Sequence, residues 1–169
     1  MLQYHPVHDP YHTAYRFLRL LIAIDEDAVS YQKLCILDYY LLFPSEIESI
    51  KFQAEWVREW KRKFRDRKNP YFGGASKYSV FRQLNVAQEA ASRLLTSCGI
   101  LGYVDSSDDE VSIILSNVPI EVLSEVNQSN EGDRSLMVFL TSHLASLRLY
   151  GPSGLKMRTG LMEYRYDPA

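Results

Sequence analysis

A chain of 169 residues, 46% hydrophobic and 24% charged, can bury one substantial core but is too short for two ordinary domains. This balance excludes wholesale disorder, and no stretch approaches the roughly 20 apolar residues of a membrane-spanning helix. The formal charge of −2 hides a segregation, because residues 51–82 hold ten Lys or Arg against three acids and leave nine bases and eighteen acids elsewhere.

The opening "MLQYHPVHDP" has neither the basic nor the apolar region of a secretory signal, so a cytoplasmic location is expected. In "DPYHTAYRFLRLLIAIDE", Asp9 is placed to cap a helix whose first residue is Pro10. Its apolar residues Tyr11, Ala14, Phe17, Leu18, Leu21 and Ile22 recur at the spacing of one buried face. Ser30 can cap a second helix, "YQKLCILDYYLLF", with Leu34, Leu37, Tyr40 and Leu41 on one side and Pro44 closing it.

From Ser45 to Arg67 the spacing predicts one long helix, with Ser45 and Glu48 arranged as a capping box. "KNPYFGGASKYS" reads as a loop, and residues 79–98 as an amphipathic helix stopped by Gly99. "ILGYVD" and "VSIIL", joined by the polar "SSDDE", predict a β-hairpin. Further helices are expected over 119–126 and 133–150, followed by a loop or extended tail rich in Gly and Pro. Cys35 and Cys98 lie far apart without a C-x-x-C partner and are expected as small core residues.

Two helices, an inserted segment, a helix breaking at Gly99 and a hairpin: this order resembles a winged helix. The expected class is therefore α+β, mainly α. Residues 1–118 would form a winged-helix-like domain with a long inserted helix over 45–68, and residues 119–169 a helical C-terminal appendage and tail. Base reading is poorly provided for, since helix 79–98 offers only Arg82 and Arg93 against Glu89, and the hairpin tip holds Asp108, Asp109 and Glu110.

The stretches "YHTAYRFLRLLIAIDE", "LCILDYYLLFPSEI" and "NPYFGGASKYSVFRQLNVAQEAASRLLTSCGILGYVD", within residues 11–105, resemble the middle component of bacterial ABC-three-component systems, which include Lamassu-type antiphage defence. The resemblance implies a non-catalytic accessory subunit between an SMC/Rad50-like coiled-coil ATPase and an effector that is often a nuclease. No active-site residue carries over, and neither a cofactor nor a metal is implied.

Enzyme motifs are missing from the residues themselves: there is no phosphate-binding G-x-x-x-x-G-K-[ST], no G-x-G-x-x-G, no H-E-x-x-H and no G-x-S-x-G. His5, His8 and His12 fall in H-x2-H-x3-H, but Pro6 and Pro10 break the geometry and no thiol or carboxylate pair completes a metal set. His143 is expected on the apolar face of its helix, as a hydrogen-bonded core histidine.

The stretch "FQAEWVREWKRKFRDRK" carries the most specific pattern. At about 100° per residue, Phe52, Trp56, Trp60 and Phe64 span roughly 120° of one side, a stripe that must pack on something. Arg58, Lys61, Arg62, Arg65 and Lys68 occupy another sector, and Glu55, Glu59 and Asp66 a third. Three readings of the cationic ridge stand side by side: a solvated face, a sequence-independent contact with a DNA backbone, and a docking surface for an acidic partner. Lys63 and Arg67 fall back on the aromatic side, where they could stack on rings. Met162, Tyr164 and Tyr166 in the tail join Phe52, Trp56, Trp60 and Phe64 as candidate protein-contact residues. The expected function is the bridging accessory subunit; the alternative is a stand-alone winged-helix DNA-binding protein or regulator.

Overall fold

The computed structural model describes residues 6–52, 55, 57–70, 75–104 and 109–163. Helix α1 (Pro10–Ala23) begins as expected, with the Asp9 carboxylate accepting from Tyr11 N and His12 N at 2.7 and 3.3 Å. It buries Ala14, Phe17, Leu18, Leu20 and Leu21. Tyr11, expected on that face, is 72% exposed, because its position in the first turn carries the stripe beyond the core. Helix α2 (Tyr31–Leu42), capped by Ser30, is buried continuously from Leu34 to Leu41, so its spacing marked one face of a helix that is enclosed all round.

Helix α4 (Lys77–Ser97) starts at the Ser76 cap and packs on α1 and α2. It ends at Gly99, whose φ of +67° suits glycine, and a Cβ there would lie 3.2 Å from Asn117 Nδ2. Cys98 stands at this helix end and is exposed, which corrects its expected place in the core; Cys35 is buried. The hairpin forms from β2 (Leu101–Tyr103) and β3 (Glu110–Ile113), antiparallel with Leu101 opposite Ile113. A further strand, β1 (Val29–Ser30), pairs antiparallel with β3 on its other edge, making the order β1-β3-β2. Two residues are too few for a periodicity signal, so β1 was unreadable from sequence. Asp109 is no plain solvated turn residue: its carboxylate accepts the Ser30 hydroxyl and its carbonyl accepts from Tyr31 N. Asp108 lies outside the described residues.

The predicted long helix over 45–68 does not form. Pro44–Ser49 instead makes a 3-10 segment that buries Ile47, with Ile50 also buried just beyond it, and Ser45 makes no capping bond. At Lys51 the backbone is diverted: its N–H donates to Arg158 O at 3.0 Å, and its carbonyl accepts from Arg158 Nη1 at 2.8 Å. Among the described residues, the α-helix of this inserted segment is α3 (Val57–Phe64).

The last third contains α5 (Ile120–Gly132), α6 (Arg134–Val138), a π-helical turn at Phe139–Leu144 and α7 (Leu155–Thr159). The π turn divides the single helix predicted over 133–150. Residues 151–163, expected as loop or tail, carry α7 and fully bury Leu155 and Leu161. One hydrophobic cluster runs from Val7 to Leu161, so the class is α+β and mainly helical, around one core.

A buried polar network fastens three helices inside that core. Arg16 of α1 donates to both Asp38 carboxylate oxygens, at 2.5 and 3.2 Å, and to Thr13 Oγ1 at 3.0 Å. Gln88 of α4 donates to Asp38 Oδ2 at 2.9 Å and to Cys35 O at 3.1 Å. Burial pushes the Cys35 thiol far above its ordinary range, which keeps it protonated and unreactive.

Candidate functional site

Helix α3 is seated by its aromatic side. Val57 and Phe64 are buried, and the half-buried Trp60 ring lies 6.0 Å from Phe64, 5.5 Å from Phe139 and 5.5 Å from His143. Phe52 meets Phe139 edge-on at 6.5 Å, and the Arg158 guanidinium lies 5.4 Å from its ring. The π turn presents both Phe139 and His143 to Trp60, and helical spacing alone could not reveal that extra residue in the turn. Phe64 therefore belongs to the chain's own core. Met162 is half-buried against the same core, while Trp56, Tyr164 and Tyr166 lie outside the described residues.

The two cations that the wheel placed beside the aromatics do anchor the helix. Lys63 Nζ lies 5.5 Å from the Trp60 ring centre and donates to Ser135 Oγ at 2.7 Å. Arg67 donates to Asp133 Oδ1 at 2.7 Å, and the other oxygen of Asp133 accepts from Arg19 at 2.9 Å. Burial alone would raise the Asp133 carboxyl, but hydrogen bonds from the two guanidinium groups outweigh it and hold it below the ordinary range. Asp133 thus joins α1, the end of the α3 segment and the α5–α6 junction, a role its sequence context did not signal.

The outer ridge is less free than its sequence suggests. Arg65 pairs with Glu48 of the 3-10 segment at 2.8 Å, Lys61 Nζ donates to Ile50 O at 2.6 Å, and Arg58 stands 4.0 Å from Glu55. Among the described residues, Arg62 and Lys68 form no ion pair, and both are exposed. Arg58, Lys61, Arg62 and Arg65 line an open groove together with Glu48, Glu55 and Glu59. The structure thus brings four of the five predicted ridge cations together and adds Glu48, which sequence reasoning assigned to a helix cap. Lys68 lies four residues beyond the end of α3 and does not line the groove.

A second cleft lies under residues 146–154, bordered by Arg158. The Arg158 guanidinium is already committed to Ser153 O at 2.6 Å and Lys51 O at 2.8 Å. Among the described residues, no group of three His, Cys, Asp or Glu could hold a metal ion, and no helix is long and apolar enough to cross a membrane.

The sequence-family model for ABC-three component (ABC-3C) system Middle Component 5 matches residues 2–167. No curated protein and no solved structure matches the chain.

Proposed function

The chain belongs to the Middle Component 5 family of ABC-three-component systems, and from that membership we propose a non-catalytic accessory subunit that holds an SMC/Rad50-like coiled-coil ATPase and an effector together in a Lamassu-type antiphage assembly. The observation that carries this reading is the extent of the family match, which reaches through the C-terminal third to residue 167. The chemistry inside the chain supports it. Arg16 and Gln88 both donate to Asp38 in the core, and Cys35 is held protonated by burial.

A winged-helix-like module over residues 1–118 is part of the proposal, with 119–169 as a helical appendage on the same core. Its support is the order α1, β1, α2, α4, β2, β3, with the short β1 added to the outer edge of the hairpin. Modules of this order present helix and hairpin surfaces to partners.

Co-expression with the products of the neighbouring genes tests the proposal. A stable complex containing a coiled-coil ATPase, recovered by size-exclusion chromatography, is the expected result. Recovery of this chain alone, with the other components assembling without it, overturns it.

A further inference from the structure

The groove between the 3-10 segment at Pro44–Ser49 and α3 carries alternating signs at close quarters. Its bases are Arg58, Lys61, Arg62 and Arg65, and its acids Glu48, Glu55 and Glu59. Both signs reach solvent: the side chains of Arg58 and Glu55 are 83% and 90% exposed, and those of Arg65 and Glu48 are 57% and 49% exposed. A phosphate backbone is a continuous line of one sign, and it would meet the three carboxylates wherever it met the cations. Gripping it would also require Arg65 to leave Glu48 and Arg58 to leave Glu55. Like charges set against each other at an interface are a strong selector against the wrong partner.

We propose that this groove receives a protein segment of mixed charge, which offers carboxylates to Arg58 and Arg62 and a Lys or Arg to Glu55 and Glu59, and that the same glutamates turn nucleic acid away. The proposal rests on the accessory-subunit reading for the source of that segment, another component of the assembly. Charge complementarity selects this occupant, since an acidic segment would face the glutamates unpaired and a basic one the arginines. Ion pairs of this kind set register and partner choice more than raw affinity.

Binding of the isolated chain to a short DNA duplex across a salt series tests the exclusion. With Lys61, Arg62 and Lys68 as the ridge cations outside ion pairs among the described residues, about three phosphates are neutralised and the log–log salt slope is near −2.7; with all five ridge cations released it approaches about −4.5. The triple variant Glu48→Gln/Glu55→Gln/Glu59→Gln is expected to bind about 10-fold or more tighter than wild type, with the slope moving toward the steeper value. Glu121→Gln/Glu125→Gln/Glu131→Gln on α5 makes the same change in net charge at exposed positions away from the groove. It is expected to gain less than about 3-fold. Equal gains in the two triples, or none in the groove triple, overturn the exclusion.

The occupant is tested in the co-expressed complex by sign. Glu59→Lys and Arg62→Glu are each expected to weaken retention of this chain by about 10-fold. A tighter complex with Glu59→Lys would reveal an acidic or nucleic-acid occupant and overturn the proposal. If no complex assembles, the accessory-subunit reading fails separately, and the duplex comparison still decides whether the glutamates exclude DNA.

Discussion

Asp38 is fully buried and accepts two hydrogen bonds from Arg16 and one from Gln88. Asp38→Ala would leave the Arg16 guanidinium, on a residue only 8% exposed, with the Thr13 hydroxyl as its remaining hydrogen-bond partner among the described residues. Stranding one member of a buried ion pair costs about 3–5 kcal/mol, a large share of the roughly 5–15 kcal/mol that holds a domain folded. For a chain of this size the melting temperature should fall by about 6–20 °C. The double variant Arg16→Met/Asp38→Ala removes the stranded charge along with its partner. It should therefore be more stable than Asp38→Ala alone, losing about 1–3 kcal/mol for the cavity and the unpaired Thr13 and Gln88 groups. Guanidinium unfolding at constant m-value measures both. A loss under about 1 kcal/mol for Asp38→Ala, or a double variant weaker than either single one, would refute the view that charge compensation holds this junction together.

Phe64→Ala should cost about 3–5 kcal/mol by the same assay, because its ring is enclosed between Trp60 and Phe139. A loss under about 1 kcal/mol would mean that α3 does not depend on this cluster. The Asp133 carboxyl titrates below its ordinary 3.8, so its stabilising contribution is complete above that value and disappears as pH falls through the lower folded-state value. The stability gap between wild type and Asp133→Asn should accordingly close on acidification below about pH 4, and a gap constant from pH 7 to pH 3 would contradict the clamp. Hydrogen exchange should show amides of α5 opening well before those of α2 and α4, and Arg19→Ala should speed α5 by about 10-fold or more while leaving α2 unchanged. Equal protection in α5 and α2 of the wild-type chain would contradict this ordering.

The elements legible in sequence were those whose ends carry their own chemistry. Asp9 with Pro10, Ser30 before Tyr31, and Gly99 after α4 each meet a local hydrogen-bonding or φ requirement, and each stands where that requirement predicts. The inserted segment misled for the opposite reason. Its helical spacing is real over Val57–Phe64, but Lys51 is engaged by Arg158, a residue 107 positions away, and no local pattern records such a partner. The π turn and β1 were illegible likewise, since tertiary pairing supports them more than propensity does. At the candidate site, the wheel separated the aromatic, cationic and acidic sectors and marked Lys63 and Arg67 as facing the rings. It could not supply Glu48 or Asp133, which arrive from other elements and decide how much of the charge is free.

The molecule is held together by two kinds of contact that should not yield together. Helix α2 is buried continuously from Leu34 to Leu41, so it can open only with the core. Helix α5 buries only Val126 completely, and its attachment to α1 is largely polar. Tyr15 bonds the Ser129 hydroxyl at 2.8 Å, Arg19 and Asn130 bond each other at 2.9 and 3.0 Å, and Arg19 continues to Asp133. Such bonds exchange readily for bonds to water and contribute about 1 kcal/mol each at most sites, whereas apolar contacts have no equal substitute in solvent. Because Asp133 also holds Arg67, this polar seam reaches the end of the segment carrying the charged groove. Loss of the Arg67–Asp133 pair should therefore loosen the α5–α6 junction while leaving α2 undisturbed.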